Sequence, residues 1–551
     1  MHYAKLTLTG GYNETAPQGS GLSAAGSSRR FQFDNFLSAV EKLLASSRIS
    51  RVIIDCRPDF APRLFGGGEA VKEQLARLTR AGKETYFYAR EYDALRLYLA
   101  SSCRYRRMHP LGTFSFLGLA RPFLFFRNFL DRHKVEPQVM RRGRFKSAAD
   151  RLEKETLDPA NEKQYTVYLQ GVEEVMSRAV EEGFNKSPKE LKDLRNGTML
   201  TAEAAKEEGW IDDVGTLSQL LDEWKEEKVK ERKLKKLGRS LGKGRKKLAL
   251  LFFEGSIVDG ETRRHPLLGQ SIGDVSFAAQ VRKLAEDKSI KGVVLRVNSG
   301  GGSATASEEI LTSLRLLAAE KPLVVSMSEV AGSGGYWISL EGERIFAQQT
   351  TLTGSIGVVT VAISLRKLLK KHGITSETLR TAPHADLGSA LREMTKEERR
   401  LIQEMVDELY EKFVAKVAGA RNRSREEILS VAEGRVWSGN DAAANALVDE
   451  VGGIHDALDY LRGLLGLKKS RILIYPETKR SLLQKLITKN APLAASIGLA
   501  GSDGLSGFSE PLPFSATTPQ LLVGELFDYQ LMRRLLSPRV GDALTRGAGK
   551  T

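Results

Sequence analysis

The sequence predicts an α/β protein with mainly parallel sheets covered by helices, arranged as two tandem copies of one unit. A pattern that recurs at an offset of about 238 positions is the first sign of this. Ala81-Gly82-Lys83-Glu84-Thr85-Tyr86-Phe87-Tyr88 matches Ala319-Glu320-Lys321-Pro322-Leu323-Val324-Val325-Ser326. Further on, Asn196-Gly197-Thr198-Met199-Leu200-Thr201 and Gly209-Trp210-Ile211-Asp212 echo Glu433-Gly434-Arg435-Val436-Trp437-Ser438 and Ala446-Leu447-Val448-Asp449. Unrelated segments do not hold register that long. Short apolar runs alternating with helical patterns are the second sign, since strands buried on both faces read as unbroken apolar runs. Length is the third: 551 residues exceed one ordinary core and suit two units of about 200 residues each.

Taken in order, residues 1–226 are the expected first unit, opening on a strand over 5–10. Residues 227–247, charged and punctuated by glycine, read as a basic linker. The second unit, 248–470, opens with an apolar strand over 248–253 and continues with an amphipathic helix over 275–286. A buried strand over 292–297, a helix over 307–319 and another buried strand over 322–327 follow. The spacing predicts a longer helix over 397–417, with Leu401, Met405, Leu409 and Phe413 on its apolar stripe. Residues 471–551 lose the pattern, and this tail, with an apolar stretch over 521–536, carries no functional reading.

Composition narrows the function classes. With 41% hydrophobic and 28% charged residues, the chain is globular rather than disordered. Two cysteines, Cys56 and Cys103, argue against a disulfide scaffold and a cysteine-ligated metal site, and they fit a reducing compartment. The net charge of +16 gathers at 104–107, 141–146 and 225–247. Such patches suit anionic headgroups or nucleic acid, or simply a solvated linker. No zinc-finger, RNP or helix-turn-helix pattern accompanies the charge, so a nucleic-acid partner is not expected. The sequence shows no signal-peptide pattern and no window of about 20 uncharged apolar residues. Residues 111–130, rich in phenylalanine and leucine but broken by Arg121, Pro122 and Arg127, read either as an exposed amphipathic element for a membrane surface or partner, or as a buried core helix.

Three turns carry candidate chemistry. Val330-Ala331-Gly332-Ser333-Gly334-Gly335-Tyr336-Trp337 follows a buried strand. A serine at a tight strand-to-helix turn displays its hydroxyl at the sheet's carboxyl edge, beside helix N–H donors suited to an oxyanion. The same turn also serves as a plain helix cap. Arg296-Val297-Asn298-Ser299-Gly300-Gly301-Gly302-Ser303 ends another strand, and its glycine amides suit an oxyanion or a phosphate, although the P-loop Lys-Ser/Thr is missing. Thr351-Leu352-Thr353-Gly354-Ser355-Ile356-Gly357 is a hydroxyl-rich turn able to orient a base.

In this order and spacing the three motifs resemble peptidase family S49, in its long, duplicated form, over roughly residues 40–465. The resemblance implies a crotonase/ClpP-like fold in each repeat and a Ser–Lys dyad that needs no metal or organic cofactor. It also implies hydrolysis of cleaved signal peptides or other membrane-proximal peptides, and a ring-shaped homo-oligomer, possibly a tetramer, at the membrane. Lys146, within Arg142-Gly143-Arg144-Phe145-Lys146-Ser147-Ala148, falls on the family's base, while the second unit has Ala385 at that place. Ser333 falls on the nucleophile, while the first unit has Leu95 there. Each unit keeps what the other has lost. The resemblance further assigns Ser355 to orienting the Lys146 amine, and Gly334 with Gly301 or Gly302 to the oxyanion hole. Gly300 stands where the family usually has proline. Long members usually carry an N-terminal membrane anchor, so the expected location is cytoplasmic or peripheral to a membrane through 111–130, unless the start lies upstream. Two rival readings remain: an inactive scaffold whose Ser333 and Lys146 never meet, and a crotonase-type acyl-CoA enzyme.

Overall fold

The computed structural model describes residues 1–15, 30–234, 240–265 and 269–476. Nearly all of the expected tail, including 521–536, lies outside the described residues. Two largely parallel sheets carry the chain. The first runs Asp213–Val214, Tyr105–Met108, Glu84–Ala89, Ile49–Cys56, His2–Leu8, Lys230–Glu231, with every neighbouring pair parallel. The second runs Arg471–Tyr475, Lys247–Glu254, Ile290–Ser299, Leu323–Gly332, Arg344–Ala347, Glu450–Val451, again parallel. Leu352–Gly354 branches parallel from Leu323–Gly332, and Ser240–Leu241 closes the far edge antiparallel to Arg471–Tyr475. Both ends of the expected linker are therefore held in sheets.

The unbroken apolar runs have a direct cause. Leu248, Leu250 and Phe252 face a core shared with the front half, packed with Leu75, Val294 and Leu458. Ala249, Leu251 and Phe253 face the rear half's own helices, with Phe277, Ile310 and Leu314. Strand side chains alternate faces, and here both faces are covered.

The helices expected in the rear half form as Asp274–Glu286 and Ala304–Glu320, the latter capped by the Ser303 side chain, which accepts from the Ala306 amide. The long helix runs Lys396–Arg421 and starts in a capping box of Thr395 and Glu398. Its stripe differs from expectation. Val406, Tyr410, Phe413 and Val417 are buried, whereas Met405 is 66% exposed. The helix packs across the strands Glu136–Arg142 and Val358–Ser364, where Gln403 donates to the Arg141 carbonyl, and this turns Met405 out. Front and rear halves each hold a helix of 26 residues, Pro159–Phe184 and Lys396–Arg421, and each ends on a left-handed asparagine, Asn185 or Asn422.

Residues 111–130 are not the core helix considered above. Thr113–Phe114 forms a short strand, the helix Arg127–Arg132 starts near the far end, and the span between them is irregular. Pro122 and the left-handed Gly118 explain the break. Phe114 and Phe116 are buried while Leu111, Leu117 and Leu124 are exposed. Among the described residues no helix is long and apolar enough to cross a membrane.

One strand from each half joins them. Glu136–Arg142 pairs antiparallel with Val358–Ser364, in the register Arg142 opposite Val358. Because the cores are continuous across the halves, Phe252→Ala should cost about 3–5 kcal/mol and lower one cooperative unfolding transition, read by circular dichroism in urea, rather than splitting it in two.

Candidate active site

Ser333 sits where the central strand Leu323–Gly332 ends and the short helix Gly334–Trp337 begins. Its backbone is held at φ 53° and ψ −120°, a left-handed conformation that costs a non-glycine residue of order 1–3 kcal/mol. The surroundings enforce it: the Ser333 amide donates to the Gly354 carbonyl at 2.9 Å, and the Trp337 amide donates to the Ser333 carbonyl at 2.9 Å. The flanking glycines are steric requirements. A Cβ on Gly335 would lie 2.2 Å from the Ser299 carbonyl oxygen, and one on Gly334 would lie 2.5 Å from Ser307 Oγ. The two sequence motifs are thus packed directly on each other.

The register of the cross-half strand pair decides what faces Ser333. With Arg142 opposite Val358, the chain after Arg142 runs beside the chain before Val358, and Lys146 meets Ser355. Lys146 Nζ lies 2.9 Å from Ser333 Oγ, 2.8 Å from the Ser355 carbonyl oxygen and 3.0 Å from Ser355 Oγ. Lys146 is only 5% exposed, and burial alone pushes its amine from the ordinary lysine range down to about 7. A neutral amine has two N–H donors and one lone pair. Its donors serve the Ser355 carbonyl, which can only accept, and Ser355 Oγ. The lone pair is left for the Ser333 O–H.

A turn that the motifs did not single out seals the amine. Glu433 and Gly434 both have positive φ, and a Cβ on Gly434 would lie 2.6 Å from the Lys146 amide nitrogen. The Phe145 amide donates to the Glu433 carbonyl at 2.8 Å, the Ser355 amide to the Arg435 carbonyl at 2.7 Å, and the Gly434 amide to the Ile356 carbonyl at 2.7 Å. The Glu433-Gly434 pair was visible only as a repeat echo; its role depends on contacts some 290 residues apart in the chain, such as Arg144 with Glu433.

Of the expected oxyanion donors, the Gly334 amide stands in the first turn of its helix, where no intrahelical acceptor exists. Gly301 packs against it, so that a Cβ there would lie 2.6 Å from Gly334 N, but the Gly301 amide already donates to Ser299 Oγ at 3.1 Å. Gly302, at φ 157°, lies against Ile257. Leu95 and Ala385 are hydrocarbon, as the sequence requires. The scaffold reading required Ser333 and Lys146 to stay apart; their reactive atoms are in hydrogen-bond contact.

A cleft opens beside Lys146 and Ser355. Phe123, Phe125, Phe145, Leu157, Tyr165 and Leu352 supply apolar wall, and Glu254, Asn298 and Glu329 also line it. Burial raises the Glu329 carboxyl to about 7 and that of Glu254 to about 8. Phe123 and Phe125 come from residues 111–130, so part of that aromatic run lines the cleft.

The sequence signature of peptidase family S49 matches residues 77–231, which include Lys146, and residues 315–468, which include Ser333. The chain belongs to peptidase family S49. Within that family it is similar to a protein named Protease 4 from Salmonella typhi, at 29% identity over 517 residues, or 87% of this chain and 82% of that protein. It is 31% identical over 411 residues to "Serine protease SPPA, chloroplastic" of Arabidopsis thaliana, covering 72% of this chain and 60% of that protein. A putative signal peptide peptidase SppA of Enterococcus faecium is 33% identical over half of this chain and 80% of its own length. Among solved structures, a point mutant of ClpP1 from Listeria monocytogenes matches 38% of this chain and 94% of its own at 15% identity, with a TM-score of 0.26, too slight a likeness to bear on the fold.

Because Gly434 has no room for a side chain and sits at φ 75°, Gly434→Ala should push Lys146 away from Ser333 and strain the turn. Displacement of about 1 Å costs roughly 100-fold in rate, so peptidase activity should fall by about that factor, and the melting temperature should fall with it.

Proposed function

We propose that this S49 chain is a serine endopeptidase in which Lys146 is the general base and Ser333 the nucleophile. The observation that carries this reading is the 2.9 Å contact between a buried amine, lowered to about 7, and a hydroxyl on a strained turn. A serine hydroxyl attacks a carbonyl only when a neighbour takes its proton, and a lysine can do so only when uncharged. In the first step the Lys146 lone pair accepts the Ser333 proton as Oγ bonds to the peptide carbonyl carbon. The Gly334 amide, with Gly302 rather than the already engaged Gly301, donates to the oxyanion. The Lys146 ammonium, held by Ser355, then gives its proton to the departing amine. Water, deprotonated by the same amine, releases the acyl group and restores Ser333.

The two halves support descent from one duplicated crotonase/ClpP-like unit. Their sheets share a strand order and their paired long helices end alike, while the front unit keeps the base and the rear unit keeps the nucleophile. Residues 1–226 and 248–470 are the proposed copies. The aromatic and aliphatic side chains along the cleft suit peptides rich in apolar residues, and the names of the similar proteins point to cleaved signal peptides as the substrate class. A ring-shaped homo-oligomer and peripheral membrane contact through exposed Leu111, Leu117, Leu124 and Phe129 belong to the same proposal, with a cytoplasmic or membrane-peripheral location.

A fluorophosphonate should label wild-type protein at Ser333 and leave Ser333→Ala unlabelled; equal labelling of the two would overturn the reading. Lys146→Ala should lose about 100- to 10,000-fold in kcat/KM on an apolar peptide.

Since the Lys146 amine is depressed rather than raised, activity should be absent at acid pH and rise through a midpoint near 7 as the ammonium loses its proton. Glu329 and Glu254 also titrate close by. The temperature dependence of the midpoint separates them: an amine's ionisation is strongly endothermic and its midpoint falls on warming, whereas a carboxyl's barely moves.

A further inference from the structure

Both serines of the site belong to the rear half, yet the backbone leading to each is held by one helix of the front half, Phe65–Arg80. That helix begins Phe65-Gly66-Gly67-Gly68-Glu69, a composition that weakens a helix start by roughly 0.5–1 kcal/mol per glycine. Two of the glycines are accounted for by close approach. A Cβ on Gly66 would lie 2.8 Å from Glu329 Cα, and one on Gly67 would lie 2.8 Å from Glu329 Oε1. The Leu64 amide at the helix start donates to Glu329 Oε1 at 2.8 Å. Glu329 is four residues ahead of Ser333, on the strand that ends at Gly332.

The next side chain, Glu69, reaches a second rear-half element. Its Oε1 accepts the Gln349 amide at 2.9 Å, and its Oε2 accepts the Thr350 amide at 3.0 Å and Thr350 Oγ1 at 2.8 Å. From the long front-half helix, Tyr168 Oη donates to the Thr350 carbonyl at 2.9 Å. Gln349 and Thr350 form the turn that feeds strand Leu352–Gly354, and Ser355 follows directly. Three hydrogen bonds onto one carboxylate are far more than a solvent-facing helix residue needs, and each restrains the turn that sets where Ser355 meets Lys146.

We propose that Glu69 is a positioning residue for the Ser–Lys pair: by fixing the Gln349-Thr350 turn it keeps Ser355 pressed on the Lys146 amine and keeps water out. This rests on the peptidase reading above. Glu69 touches neither substrate nor the reacting atoms, and it acts through Ser355. If the turn relaxes, the amine gains water and regains its proton more readily, because desolvation is what holds it neutral.

The test is the pH dependence of fluorophosphonate labelling at Ser333, with the full chain, in wild type and Glu69→Gln. Glutamine presents an NH2 where one of the two carboxylate oxygens accepts. The midpoint of the rise should move up by about one pH unit, giving about fivefold slower labelling at pH 7 and a rate within about twofold of wild type at pH 9. An unchanged midpoint, whether the rate falls equally at every pH or not at all, overturns the proposal, since a merely structural loss would scale the whole profile. Should Glu69→Gln not fold, Thr350→Val removes one of the three donors and should shift the midpoint in the same direction by less; no shift there overturns it equally. Failure of the wild type to label at Ser333 would instead refute the peptidase reading.

Discussion

The contact on which this structure turns is a dry one between an amine and a hydroxyl contributed by different halves of the chain. An ammonium is stable in water and a free serine hydroxyl is inert, so the pair has chemical meaning only where solvent is excluded and no carboxylate re-protonates the lysine. Burial is the only cause that depresses the Lys146 amine. Everything around it serves that exclusion: the Glu433-Gly434 turn against the Lys146 backbone, the Ser355 carbonyl and hydroxyl on the amine, and the antiparallel pairing that delivers Lys146 to that spot. Desolvating an amine costs free energy, and the hydrogen bonds to Ser355 offset part of it.

Close backbone approach is the recurrent device. Gly335 against Ser299, Gly301 against Gly334, Gly434 against Lys146 and Gly66 against Glu329 each bring two segments nearer than any Cβ allows. These contacts join the Ser333 turn to the Ser299–Gly302 loop, the Lys146 backbone to the Glu433-Gly434 turn, and the front helix to the strand behind Ser333. The continuous core, with Leu248, Leu250 and Phe252 facing front-half residues, supplies the rigidity that makes such spacing reproducible.

Much of the fold was legible. The alternation of apolar runs and helices gave a parallel α/β architecture, because strands covered on both faces leave an unbroken signature. Periodicity was weaker on helix faces: the stripe through Met405 was displaced since the helix rests on a strand pair whose existence depends on the other half. Residues 111–130 left two readings open, an exposed amphipathic element or a buried core helix. Proline and a left-handed glycine exclude the core helix and leave an irregular run whose Phe123 and Phe125 line the cleft. Glu69 and the Gly434 turn gave no chemical signal, because a carboxylate that holds a distant turn looks like any helix-surface glutamate.

By itself the sequence determined the recurring pattern, the parallel sheets and the residue types on offer: one turn with a serine, one segment with a lysine, and glycines where chains must touch. Those are local properties, written in side-chain period and steric allowance. Only the tertiary structure decided that Lys146 is buried, with its amine lowered to about 7, and faces Ser333, which glycine amide is already occupied, and which front-half helix steadies the rear-half serines. Desolvation and hydrogen-bond geometry depend on every neighbour in space, and the neighbours that matter here lie up to about 290 residues apart along the chain.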